Sequence, residues 1–191
     1  MGLQDSFGEP LLVVESAITV SLAATEAAGS PAASEPALLQ SQFVRQFSPQ
    51  IQSRLCALGS YSTLPVGHYL TTQGEAIGCF AVVLSGTLAL SVHRGSDRLQ
   101  LALARTGDAI GATNLLDRRP PSADIVVVAG PARVWTLTRT QFEELSATDL
   151  PSAFIVLQAL AQELCRRMRQ HRDTLLHQLE TVRSYYCEME V

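Results

Sequence analysis

Between Ser60 and Thr138 no apolar segment is long enough for a helix, and short β-type runs alternate with turn residues. The runs fall near Ser60–Leu64, His68–Thr72, Phe80–Leu84, Thr87–His93, Leu99–Ala104, Ala123–Val128 and Arg133–Thr138. Between them lie Pro65-Val66-Gly67, Gln73-Gly74-Glu75, Ser85-Gly86, Arg94-Gly95-Ser96-Asp97, Thr106-Gly107-Asp108 and Gly130-Pro131. Short strands with turn signals at this spacing predict a β-sandwich, jelly roll or small barrel. One stretch breaks the rhythm: Gly107-Asp108-Ala109-Ile110-Gly111-Ala112-Thr113-Asn114-Leu115-Leu116 leads through a short helical turn into Pro120-Pro121-Ser122-Ala123. Small residues at Gly111, Ala112 and Thr113 free backbone N–H groups at a helix start, the arrangement with which a chain cradles a phosphate.

Helical patterns flank the β region. Leu38, Leu39, Phe43, Phe47, Ile51, Leu55 and Leu58 keep a helical period, with a start signal at Ser34-Glu35-Pro36 and a split at Ser48-Pro49. After the strands, Thr138 or Thr140 caps a helical turn carrying Phe142 and Leu145, and a long helix is predicted from about Pro151 to Val182. In its first half Phe154, Leu157, Leu160 and Leu164 suit packing against the β body. Its second half carries Ala161, Cys165, Met168, Arg172, Leu175, Leu179 and Val182 in alternating steps of four and three, the signature of helix pairing, with Arg172 the one charged position. The pattern favours a homodimer through this seam and leaves open a helix folded back on its own barrel.

The order and spacing of these pieces from Leu38 to Val182 resemble the cyclic-nucleotide-binding domain family, with its β-roll and phosphate-binding cassette. The resemblance rests on the Gly67-to-Gly74 spacing with Gln73-Gly74-Glu75, the Phe80-to-Gly86 stretch, Gly107-Asp108-Ala109-Ile110-Gly111 and the Phe142 helix. It implies a mainly β fold with flanking helices, a β-roll or jelly roll plus a long C-terminal helix. It also implies a ligand site at Gly111, Ala112, Thr113, Asn114, Ser122 and Ala123, with Arg118 and Arg119 beside it. In ligand-binding relatives a Glu follows the second cassette glycine and grips the ribose, and an Arg before the Ser/Thr-Ala pair holds the cyclic phosphate. Those positions here are Ala112 and Pro121. Losing a charged partner to a phosphate costs about 2–5 kcal/mol, and losing a hydrogen bond to a carboxylate about 1.5–3 kcal/mol. The low sum, about 3.5 kcal/mol, is more than two decades of affinity. Cyclic nucleotide as a cofactor is therefore disfavoured. An anion held by backbone N–H groups and Arg118 or Arg119 is the alternative, against both arginines being solvated loop residues.

Composition narrows the rest. A formal charge of −4 gives no global pull toward nucleic acid or anionic membrane. No apolar run reaches the roughly 18 residues of a membrane span. The four cysteines lack metal-ligand spacing, so no metal site is predicted, and a reducing, cytoplasmic setting fits best. His68, His93, His171 and His177 share no spacing with a carboxylate and nucleophile, so no catalytic set is assigned and the chain reads as a non-enzyme. The cluster Arg166, Arg167, Arg169 and Arg172 reads as a solvated face or an acidic-partner surface, because the residues after Arg183 leave no room for a DNA-reading module and direct DNA binding is not expected. Residues 1–36 carry carboxylates (Asp5, Glu9, Glu15, Glu26, Glu35) and no Arg, and residues 23–37 have a linker composition. Within this arm Leu11, Val14, Ile18 and Leu22 make a narrow stripe, either packed on the body or docking on a partner as a helix. The organisation expected is an acidic arm (1–36), a domain with its leading helices (37–150), a long helix (151–183) and a tail (184–191). The function expected is a non-catalytic regulatory or protein-interaction module with a protein partner or larger assembly, the alternative being a sensor of a cyclic nucleotide or related anion.

Overall fold

The computed structural model describes residues 35–75, 78–117 and 119–189, with the side chains at 178, 181, 182 and 184–189 outside the description. The acidic arm, its Leu11–Leu22 stripe, the capping Ser34 and Arg118 therefore lie outside the described residues. The chain begins with α1 (Glu35–Gln40) and α2 (Pro49–Leu58). The first helix stops earlier than the periodicity predicts. Ser41 Oγ donates to the Leu38 carbonyl at 2.6 Å and accepts from the Val44 N–H at 3.3 Å, offering the backbone a turn in place of the next helical bond. Phe43, Val44 and Phe47 stay buried, so the pattern reported burial correctly although the helix ends.

Six strands then form one antiparallel sheet: β1 (Ser60–Leu64), β2 (Tyr69–Thr71), β3 (Cys79–Arg94), β4 (Asp97–Ala104), β5 (Ala109–Ile110) and β6 (Asp124–Thr138). The order is β1-β6-β3-β4, with β2 added to β6 and β5 to β3. Two predicted breaks are absent. Ser85-Gly86 lies inside β3 and Gly130-Pro131 inside β6, because the two long strands pair from Cys79↔Thr138 to Ser91↔Asp124 through register shifts rather than ending. The shifts do work a turn would not: they change which alternate residues face inward. Before them Phe80, Val82 and Leu84 face the helices while Ala81 and Val83 fill the roll; after them Leu88 fills the roll. The two-residue β5 was not foreseen, and its Ala109 and Ile110 are split between the same two cores.

Between β5 and β6 lies α3 (Ala112–Leu116). After β6 come α4 (Arg139–Thr148) and the long α5 (Leu150–Met189). Thr138 caps α4: its hydroxyl accepts from the Gln141 N–H while Gln141 Oε1 accepts from the Thr138 N–H at 2.8 Å, a reciprocal capping box. Gln141 also donates to the Leu58 carbonyl at 2.7 Å, tying α4 to the end of α2. Trp135 is fully buried with its ring edge against Gly59; a Cβ there would sit 2.2 Å from the indole, so the helix-to-strand corner requires glycine.

The first half of α5 packs through Ala153, Val156, Ala159 and Leu160. This corrects the predicted packing face, since Phe154 and Leu157 are 64% and 39% exposed. The inward face mixes Ala153 and Ala159 with Val156 and Leu160, while Phe154, Ile155 and Leu157 turn outward. From Met168 onward every described side chain of α5 is exposed.

Candidate functional site

The cassette is built on a glycine that nothing else can replace. Gly111 has φ +76°, and a Cβ on it would meet the Cys79 carbonyl oxygen at 2.2 Å. This left-handed residue turns β5 into α3, whose first residue, Ala112, is buried in the helix-facing core. Thr113 is exposed, and Asn114 Nδ2 donates to the Cys79 carbonyl at 3.0 Å, fastening α3 back to β3. Burial pushes the neighbouring Cys79 thiol up to about 11, so it stays protonated and unreactive at neutral pH. Asn114 in this structure is thus a structural fastener, its amide already engaged.

The loop after α3 continues the pattern. Arg119 is largely exposed, its Nε 3.8 Å from an Asp117 carboxylate oxygen, and Ser122 is exposed. Pro121, at the position where the resemblance calls for arginine, is buried, and its carbonyl accepts from the Gly74 N–H at 2.9 Å. Ala123 is half-buried, its carbonyl accepting from Thr71 Oγ1 at 3.4 Å. The structure therefore brings Gly111, Ala112, Thr113 and Asn114 together and hangs Ser122 and Ala123 on the Gly74 turn. It places no charged side chain at either anchor position.

Arg139, Glu163 and Asp124 were not singled out from the sequence, and Arg166 and Arg167, expected on a solvated or acidic-partner face, are half-buried against Glu163. Arg139, the first residue of α4, reaches across to α3: its Nη2 donates to the carbonyls of Asn114 (3.3 Å) and Asp117 (2.6 Å). A cation in a helix's first turn opposes the helix dipole, and that mismatch was a usable hint that Arg139 serves another element. On α5, Arg167 donates to the Ala109 carbonyl, at the start of the cassette. Glu163 holds Arg167 Nε at 2.9 Å and Arg166 through both its carboxylate oxygens, at 2.6 and 2.8 Å. Burial would raise the Glu163 carboxyl, but hydrogen bonds and charge from Arg166 and Arg167 outweigh it and hold the group below its ordinary range.

At the far end Asp124 is 1% exposed. Its carboxylate accepts from the Gln73 N–H and meets His93 Nε2, each at 2.8 Å, with Arg98 Nη2 at 3.7 Å. The pairing of His93 with a carboxylate was invisible in sequence because it joins β3 to β6 across the sheet. Arg98 in turn donates to Ser91 Oγ at 2.9 Å and lies over the Tyr69 ring. Ser91 is thereby committed to Arg98, and the three side chains do not form a nucleophile–base pair.

A cleft of about 340 Å³ opens elsewhere, between the turn at residues 42–46, Gly107–Ala109 and α5. Phe43 and Ala159 line it with Arg45, Asp108, Glu163 and Arg166, and none of the described residues from Gly111 to Ala123 contributes. Among the described residues no group of three or more His, Cys, Asp or Glu could hold a metal ion, and no helix is long and apolar enough to cross a membrane.

The family model of the cyclic nucleotide-binding domain matches residues 62–149. No curated protein sequence matches. Among solved structures, a cyclic nucleotide-binding domain from Methylobacillus flagellatus superposes with a TM-score of 0.70 at 22% identity, covering 80% of this chain and 87% of that one. The catabolite activator protein of Thermus thermophilus gives 0.58 at 27% identity, covering 75% of this chain and 63% of its own length. The N-terminal domain of a transcriptional regulator from Streptomyces coelicolor gives 0.55 at 20% identity, covering 73% of this chain and 94% of that one. With its β-roll, cassette glycines and flanking helices in family order, the segment from residue 62 to 149 belongs to the cyclic nucleotide-binding domain family.

Proposed function

We propose that the chain is a non-catalytic regulatory module whose cassette no longer grips a cyclic nucleotide and whose output is protein contact, chiefly a second copy through α5. The observation that carries this reading is the pair of anchor positions. Ala112 points into the helix-facing core at 6% exposure, and the residue before Ser122-Ala123 is a buried proline rather than an arginine. Among the described residues, a nucleotide phosphate at this site would meet backbone N–H groups and the hydroxyls of Thr113 and Ser122 but neither anchor side chain, with a deficit of about 3.5 kcal/mol against a fully equipped site. Arg119 at 85% side-chain exposure and beside Asp117 is a solvated residue and does not supply the missing charge.

Support for pairing comes from the exposed face of α5. Phe154, Met168, Leu175 and Leu179 are 59–65% exposed, and with Ala161 and Cys165 they form one seam along the helix. Val182 continues the spacing, its side chain outside the described residues. An apolar stripe of this kind, which neither core cluster of the described residues covers, is stabilised by a partner helix.

Calorimetric titration with cyclic AMP, cyclic GMP and a cyclic dinucleotide tests the first half. No heat of binding is expected up to millimolar ligand. Saturable micromolar binding of any of them makes the chain a sensor and refutes the reading of Ala112 and Pro121.

A further inference from the structure

The cassette and its exit loop, residues 109–124, are gripped by other parts of the same chain at three places. At the start, Arg167 of α5 donates to the Ala109 carbonyl. In the middle, Arg139 of α4 takes the carbonyls of Asn114 and Asp117, which the end of α3 leaves without helical partners. At the end, the Gly74 N–H holds the Pro121 carbonyl and the Gln73 N–H, His93 and Arg98 converge on Asp124. Resting on the reading of this cassette as ligand-free, we propose that these internal contacts form a lock that fixes the cassette in one position. The Glu163–Arg167 clasp is the part that sets α5 against it.

Three features make the clasp more than a surface ion pair. Glu163 is 13% exposed and Arg167 25%, so the pair is shielded from the screening that weakens exposed bridges. Glu163 binds two guanidiniums at once, which limits the positions Arg167 can adopt. Arg167 then spends its other nitrogen on a backbone carbonyl of β5, two residues before the left-handed Gly111. The carboxylate thus acts on the cassette through the hydrogen bonds of Arg167. Glu163 is a positioning residue for the lock.

Hydrogen–deuterium exchange on the full chain, read by mass spectrometry, tests this. In Arg167→Gln and Arg139→Gln, amides of residues 109–117 are expected to exchange at least tenfold faster, with β3 and β6 unchanged. Glu163→Gln is expected to reproduce the Arg167→Gln pattern at residues 109–112 although the carboxylate's hydrogen bonds go to Arg166 and Arg167; a merely local role would leave those amides alone. Arg167→Lys, which retains the charge and one donor, serves if the glutamine variant does not fold, and is expected to fall between the two. Wild-type exchange rates at residues 109–117 in all variants would overturn the lock. Protection of that segment by millimolar cyclic AMP in the wild type would instead overturn the ligand-free reading, so the two failures are distinct.

Discussion

Glu163 shows how one side chain can link acid stability to the cassette. Its carboxyl lies below its ordinary value of 4.5 in the fold because Arg166 and Arg167 outweigh the cost of burying it. A depressed folded value means stability that is present above 4.5 and is lost as pH falls through the lower folded value. The difference in urea midpoint between wild type and Glu163→Gln should therefore be constant near neutrality and shrink below about pH 4.5. A difference that persists unchanged at pH 3 would mean that packing, not charge, carries the effect. At this scale the sequence was partly legible. Gly111, Ala112 and Pro121 could be placed from motif and spacing, since each concerns a local backbone feature or a missing side chain. Asp124 could not: its importance lies in Gln73, His93 and Arg98, which only the sheet brings to it. Arg139 escaped for the same reason, and Arg167, legible only as part of a basic cluster, was misassigned for it, each being committed to a carbonyl far away in the chain.

At the scale of elements, the turn residues and β-type runs located every strand region except the two-residue β5, but not where strands end. Ser85-Gly86 has the chemistry of a turn, and its glycine does take a positive φ, yet the chain continues because β6 supplies partners on both sides of the irregularity. Local residue preference cannot tell a bulge from a hairpin when the deciding partner lies about forty residues further on. The α5 face was misjudged differently. Both Leu157 and Leu160 fit a helical period, and only the packing of α5 on α3, α4 and the core they share decides that Ala153, Val156, Ala159 and Leu160 face inward. The outward turn of Phe154 lengthens the exposed seam toward the start of the helix. Leu175→Glu with Leu179→Glu should then abolish pairing, since like charges would meet where apolar layers should. Sedimentation velocity at micromolar concentration is expected to give a dimer for the wild type and a monomer for the double variant. A wild-type monomer would remove pairing from the account, and a variant that stays dimeric would move the interface elsewhere.

On the scale of the whole molecule, α5 divides into two parts with different duties. Up to Leu160 it closes the helix-facing core, and near Glu163 and Arg167 it holds β5. Beyond Met168 its described side chains are all exposed, and neither core cluster draws on them. Helices in proteins take most of their stability from packing an apolar face, so on the pairing proposed above the distal part is stabilised by its partner, whereas neither core cluster depends on it. A chain ending at Arg169 keeps both cores, the capping box and the clasp. It should melt as a cooperative monomer whose midpoint does not change with protein concentration. The full chain, if paired through the seam, should melt at temperatures that rise with concentration, because mass action stabilises the associated state. Scanning calorimetry of both chains over a hundredfold concentration range separates the cases. A truncated chain that loses its cooperative transition would show that the distal helix belongs to the domain itself, and the division drawn here at Met168 would fail.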